Sequence, residues 1–217
     1  MKTILIKVII SVLLLISCNS ETNSVEFEVN EMNKKQEKEI FLQEKEIFLT
    51  EEEEEDLLFL REEEKLARDV YLYSYQKYGT KIFGDIIKSE EKHMSSVLKL
   101  LKKYNIEDPA LDIGLFVNNF LQEKYDELIA KSNSSYLNAL IVGDYIEDLD
   151  IDDLTKKEES TTKEDLLKVY GSLKCGSRNH LRSFNYQVEL NDGEYEPEFI
   201  STEEFESIVN SEHEKCK

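Results

Sequence analysis

Residues 81–104, KIFGDIIKSEEKHMSSVLKLLKKY, decide how the rest of the chain is read. Ile82, Ile86, Val97 and Leu101 fall on one line at steps of three and four, the signature of a helix face turned to a core. Glu90 and His93 stand in that same line, three residues apart and therefore neighbours on the face. A carboxylate in a core stripe is costly unless it is hydrogen-bonded or neutralised by a cation.

Three more segments repeat the pattern. Thr50 with Glu53 forms a capping box, and a helix predicted from there runs to Tyr78, stopped by Gly79. One of its stripes reads Leu57, Leu60, Glu64, Ala67, Tyr71. Glu63 falls in line with Phe59, Leu66 and Val70 instead, so periodicity leaves Glu63, Glu64 and a solvated glutamate face all open. After a connector at 105–114 and a helical segment at 115–131, Ser134 or Ser135 caps a helix reaching Leu149. Leu140, Gly143 and Glu147 share a face there, with Asp144 and Asp150 at its edges. Residues 150–160 read as an acidic loop. Thr162 with Asp165 then opens a last long helix to Leu190, with the stripe Leu166, Val169, Leu173, Ser177, His180, Phe184. A short amphipathic helix at 202–209 is expected to dock Phe205 and Ile208.

No segment alternates with period two, and seven Gly and two Pro are too few for the frequent turns of an all-β fold. The class is all-α, of bundle proportions. Each polar residue also has a plainer reading. His93 and His180 could be hydrogen-bonded core histidines, Asp144 to Asp150 the acidic end of a surface helix, and His213 a solvated tail residue.

The whole chain of 217 residues carries 47 acidic against 27 basic side chains, a net charge of −20. Such a surface repels phosphate backbones and argues against nucleic acid. The acidity is uneven: residues 56–188 carry 24 acids and 19 bases, so most of it belongs to the two ends. At the start, Lys2 and Lys7 precede an apolar run at 8–16, too short for a membrane span. It ends in Leu15-Ile16-Ser17-Cys18, which resembles a bacterial lipobox. Residues 1–17 are therefore expected to be a lipoprotein signal peptide, with Cys18 the lipidation point. Residues 18–49 read as an acidic tether in which QEKEIFL occurs twice in tandem, and 50–217 as the folded domain. Cys175 and Cys216 remain, and outside the cytoplasm such a pair can form a disulfide, though spacing alone does not decide it.

Residues 61–71 (REEEKLARDVY), 89–94 (SEEKHM), 139–154 and 176–184 (GSRNHLRSF) resemble a prokaryotic ferritin-like family of domains of unknown function. That family is distantly similar to rubrerythrin and bacterioferritin. The resemblance implies a ferritin-like four-helix bundle with a helical crossover and a short C-terminal helix. It also favours Glu64 over Glu63, because Glu64-x-x-Ala67-x-x-x-Tyr71 matches the rubrerythrin pattern. The implied metal ligands are Glu64, Glu90, His93, Glu147 and His180, with Asp144 as an additional one. Iron or manganese would be held, as one ion or two, with oxidase- or peroxidase-type redox activity. One departure stands out: Ser177 occupies the place of a second Glu-x-x-His carboxylate. No CxxC pair is present for a built-in iron centre, so a redox role would need an external electron donor. The expected setting is the bacterial cell envelope, anchored to the membrane through the lipid and facing periplasm or exterior, with room for a homodimer. The competing reading is a non-enzymatic envelope binding module with a metal-free polar core, which Ser177 supports.

Overall fold

Helix α1, Glu51–Tyr78, begins and ends where its sequence dictates. The Glu53 backbone N–H donates to Thr50 Oγ1 at 3.1 Å and the Thr50 N–H donates to Glu53 Oε2 at 2.8 Å, closing the capping box. Four glutamates in the first turn suit the positive end of the helix dipole. Gly79 closes the other end at φ 66°, a left-handed conformation that costs glycine nothing. The rest of the fold follows as α2 Lys81–Lys103, α3 Asn119–Ser134, α4 Tyr136–Ser160, α5 Glu164–Leu190 and α6 Thr202–Val209. The computed structural model describes residues 34–35 and 48–216, and no strand occurs among them. The expected signal peptide, Cys18 and nearly all of the expected tether with its tandem repeat lie outside the described residues. Among those described, no helix is long and apolar enough to cross a membrane.

The chain is thus an all-α helical bundle. α1 packs chiefly on α2 and α4 on α5, while α2 meets α5 and α1 meets α4. The connection from α2 to α4 carries α3 across the α1 and α4 faces. Three boundaries differ from the sequence reading. The acidic stretch 150–160 is helical, not a loop, because Ile151 and Leu154 keep the core stripe going and Lys156 pairs with Asp152 one turn back. α5 starts after Lys163 with no side-chain cap, so Thr162 does not open it. α3 begins at Asn119, where Asn118 caps the N–H groups of Phe120 and Leu121.

The interior is layered along the bundle. One apolar cluster gathers Val70, Tyr71, Phe83, Leu140, Ile146 and Phe184. A second gathers Leu57, Leu60, Leu101, Leu154, Tyr170 and Leu173. Full burial of each such side chain is worth about 1.5–3 kcal/mol. On every one of the four long helices an interval separates the buried members of the two clusters, and it contains Glu64 on α1, Glu90 and His93 on α2, Glu147 on α4 and His180 on α5. The site is a polar belt between two apolar plugs.

A third cluster seats α6 and the segment before it through Tyr195, Ile200, Phe205 and Ile208 against Ile151 and Leu181. Cys175 and Cys216 form a disulfide that ties the C-terminal segment to α5, and Glu214 pairs there with Arg178 and Arg182.

Candidate metal centre

The buried carboxylates of this protein fall into two kinds, and the difference is who donates to them. Glu53 accepts the Thr161 hydroxyl at 2.6 Å besides its capping bond. Glu62 accepts the backbone N–H groups of Val117 at 2.6 Å and Asn118 at 3.0 Å, fixing the crossover to α1. Asp69 meets Lys65 at 2.7 Å, Arg68 at 2.6 Å and the Gly114 N–H at 2.9 Å. Asp148 accepts Tyr195 and the backbone N–H groups of Glu198, Phe199 and Ile200. Each of these groups is paired with donors or cations of the protein, and together they staple its loops.

The second kind is left short of donors. Glu63, Glu64, Glu90, Asp144, Glu147 and Asp150 are each at most 3% exposed, and each has at least one carboxylate oxygen that no hydrogen bond reaches. Left that way, a buried polar atom costs about 1–3 kcal/mol, more when charged. Three of the six, Glu64, Glu90 and Glu147, stand beside two histidines, and the geometry there is specific. Glu64, Glu90 and His93 form one triad and Glu90, Glu147 and His180 another, the ligand atoms of each lying within 4.8 Å of one another. Glu90 belongs to both. His93 Nδ1 is 3.1 Å from Glu64 Oε2 and 3.0 Å from Glu90 Oε2. His180 Nδ1 is 2.8 Å from Glu90 Oε1 and 3.4 Å from Glu147 Oε2, yet none of these three atoms completes a hydrogen bond. The two imidazoles stack with centroids 5.5 Å apart.

Helix register explains this convergence. Glu90 and His93 share a face of α2 at a separation of three residues, so both turn inward. Gly176 gives the His93 ring its place, since a Cβ there would lie 2.5 Å from His93 Nε2. Gly143 does the same for Phe184, with a Cβ meeting that ring at 2.5 Å. Tyr71 packs against Phe184 and donates its hydroxyl to Glu147 Oε1 at 2.6 Å, so it both fills the core and aims a carboxylate. Tyr71→Phe should keep the fold and lower metal affinity by about 10–100-fold, the usual effect of removing a hydrogen bond that orients a ligand. Direct metal titration of the variant checks it, and unchanged affinity would reduce Tyr71 to packing.

Charge in the belt is set by burial and by the histidines. Burial pushes the Glu64 carboxyl up to about 7 against the pull of His93. It raises Glu147 as well, against His180. Burial would also raise Glu90, but the charges of His180 and His93 on either side outweigh it and hold that carboxyl well below the usual range. The imidazoles move the other way: burial alone would lower them, and Glu147 with Glu90 carries His180 up to about 10. Glu90 and Glu64 raise His93 likewise. In the metal-free belt, protons hold the positive charge.

The structure therefore brings Glu64, Glu90, His93, Glu147 and His180 together. Asp144 is in neither triad; the carboxylates near it are Glu147, Asp148 and Glu189. Ser177 is buried and donates only to the Leu173 carbonyl at 3.2 Å. The glutamate run 62–64 is buried throughout, not a solvated face. His213 is exposed, as expected of a tail residue, but it lines a cavity of about 360 Å³ that also reaches His93, His180, Gly176 and Cys216. That cavity is an opening from solvent to the two imidazoles. Sequence reading missed the stapling roles of Glu62 and Asp148. Neither helical nor strand periodicity marks a side chain that reaches into a loop.

Residues 53–212 match the family model described as an uncharacterized protein domain (DUF2202). The chain is 48% identical over 168 residues to uncharacterized protein MJ0754 of Methanocaldococcus jannaschii, covering 76% of this chain and 91% of that protein. The crystal structure of hypothetical protein MJ0754 superposes with a TM-score of 0.75, covering 76% of this chain and 96% of the other.

Proposed function

Given that the chain belongs to the DUF2202 family of uncharacterized protein domains, we propose that it is a ferritin-like metalloprotein that binds two iron or manganese ions in the belt between its apolar layers. The observation that carries this reading is the pair of buried triads sharing Glu90, with carboxylate oxygens that no protein donor satisfies. A purely structural polar core would pair those oxygens, as Glu62 and Asp148 are paired. Oxygen and imidazole donors suit iron or manganese better than copper(I). The order of elements supports the ferritin-like assignment: one helix pair, a long crossover carrying α3, then a second pair.

Glu64 and His93 would hold one ion, Glu147 and His180 the other, and Glu90 both. Bound there, iron or manganese would supply one-electron redox chemistry toward oxygen or peroxide. The chain's own part is to hold the ligands through Tyr71 and Gly176, to exclude bulk water with the two apolar layers, and to admit small molecules at the opening beside His93 and His180. Electrons would come from an external donor. The disulfide suits an oxidising compartment. With the lipobox-like Leu15-Ile16-Ser17-Cys18, it supports a lipid-anchored domain on the outer side of a bacterial membrane.

Elemental analysis of chain purified without metal-affinity tags, after growth with iron and manganese, tests the reading. About two ions per chain is expected, falling to less than about 0.2 in the His93→Ala/His180→Ala double variant, with stability falling alongside. Metal content unchanged by that substitution overturns the site. Wild type below about 0.2 per chain favours the alternative that Ser177 suggests, a metal-free binding module.

A further inference from the structure

We infer that Asp150 supplies the belt with the carboxylate that α5 lacks at Ser177. This rests on the two-metal reading above and names a ligand beyond the two triads. Asp150 lies one helical turn after Glu147 on the same face of α4, so the two side chains are neighbours. It is 3% exposed, and neither of its oxygens has a hydrogen-bond partner. The carboxylates that act on it are Glu63, Glu64, Glu147 and Glu90. Three of these belong to the triads, one on each of α1, α2 and α4. The other unpartnered acid of α4, Asp144, lies a turn to the far side of Glu147, toward Asp148 and Glu189.

Charge balance makes the same assignment. Two divalent ions bring four positive charges into an interior where uncompensated charge is expensive. With both imidazoles neutral, Glu64, Glu90 and Glu147 bring three negative charges; Asp150 brings the fourth. Ser177 cannot, since its hydroxyl is already spent on the Leu173 carbonyl. The replacement comes from the helix packed against α5, so the belt keeps its charge without a fourth carboxylate on α5. Glu63 is the nearest rival. It faces Lys157, a cation of the protein's own, as well as Asp153 and Glu64.

The test is a Mn²⁺ titration of the full chain and of Asp150→Asn, by equilibrium dialysis with elemental analysis, beside thermal melting of the metal-free forms. Asp150→Asn should bind about one ion where wild type binds two, or bind its weaker ion at least about tenfold less tightly. Its metal-free melting temperature should be unchanged or higher, because a neutral isostere replaces a buried, unpartnered acid. Asp150→Ser should repeat the loss, and Glu63→Gln should retain both ions. Two ions held at wild-type affinity in Asp150→Asn overturns the inference while leaving the metal centre standing, as does loss of an ion in Glu63→Gln alone. Wild type that binds no Mn²⁺ overturns both.

Discussion

Glu90→Ala is expected to remove both metals at once, from about two per chain to below about 0.2, where His93→Ala and His180→Ala should each remove about one. Glu90 is the one carboxylate common to both triads, its two oxygens turned to different imidazoles: Oε2 to His93 at 3.0 Å and Oε1 to His180 at 2.8 Å. No other side chain of the belt faces both histidines at these distances. The metal-free protein should suffer too. The charged Glu90 stands between two imidazoles whose affinity for protons it raises, and removing one partner of a buried charged set typically costs about 3–5 kcal/mol. Glu90→Gln separates the two effects, because it keeps the volume while removing the charge. Elemental analysis and melting with and without added Mn²⁺ read both. Wild type should melt higher with metal, by the mass-action stabilisation that binding to the folded state confers, and Glu90→Ala should show no such rise. One ion retained in Glu90→Ala would mean that the two triads do not share a ligand.

The residues that carry this prediction were readable in the sequence because they break a pattern. Glu64, Glu90, His93, Glu147 and His180 each sit where a helix stripe calls for an apolar side chain, and the structure draws all five into one belt. Helix number and class were legible for the same reason, the stripes being long and their ends marked by Thr50, Gly79 and Ser135. Asp150 was legible only as a residue at the edge of the Glu147 face. The run from Asp150 to Glu159 has so many charges that it reads as a loop, so α4 reads as ending one residue short of it. What keeps the helix going is spread across the fold: Ile151 and Leu154 bury against different clusters, and Lys157 reaches back to Asp56 of α1. The choice between Glu63 and Glu64 was out of reach of periodicity because both are buried. Only the partners separate them. The pairing of Cys175 with Cys216 was equally undetermined, since it depends on where the segment after α6 returns to α5.

The overall affinity for two metal ions should climb steeply with pH, roughly 100-fold per unit between pH 6 and 8, or about tenfold per ion, while the metal-free protein becomes less stable over the same range. Both follow from where the protons sit. His180 is raised to about 10 and His93 is raised as well, so both imidazoles of the metal-free belt are protonated at neutral pH. Ligation needs them neutral and the carboxylates ionised. Each ion therefore displaces at least the proton of its own histidine, a slope of about one per ion and of about two in the logarithm of the overall two-ion affinity against pH. Stability of the metal-free form runs the other way. Glu64 titrates in the folded chain at about 7 against an ordinary 4.5, so its contribution is fully present below 4.5 and is lost as pH rises through 7. His180 behaves alike between its ordinary 6.5 and about 10. Glu90 has the opposite sign, its carboxyl lying below the usual range, and its contribution is lost only on acidification below about 4.5. From pH 5 to 8 the Glu64 change alone is on the order of 3 kcal/mol, or roughly 6–12 °C in melting temperature for a chain of this size. Calorimetric Mn²⁺ titrations in buffers of different ionisation enthalpy would count the protons, and melting of metal-free protein across the same pH values would read the stability. A proton count below about 0.5 per ion, or a metal-free melting temperature that rises from pH 5 to 8, would show that the belt is not held together by protons waiting to be exchanged for metal.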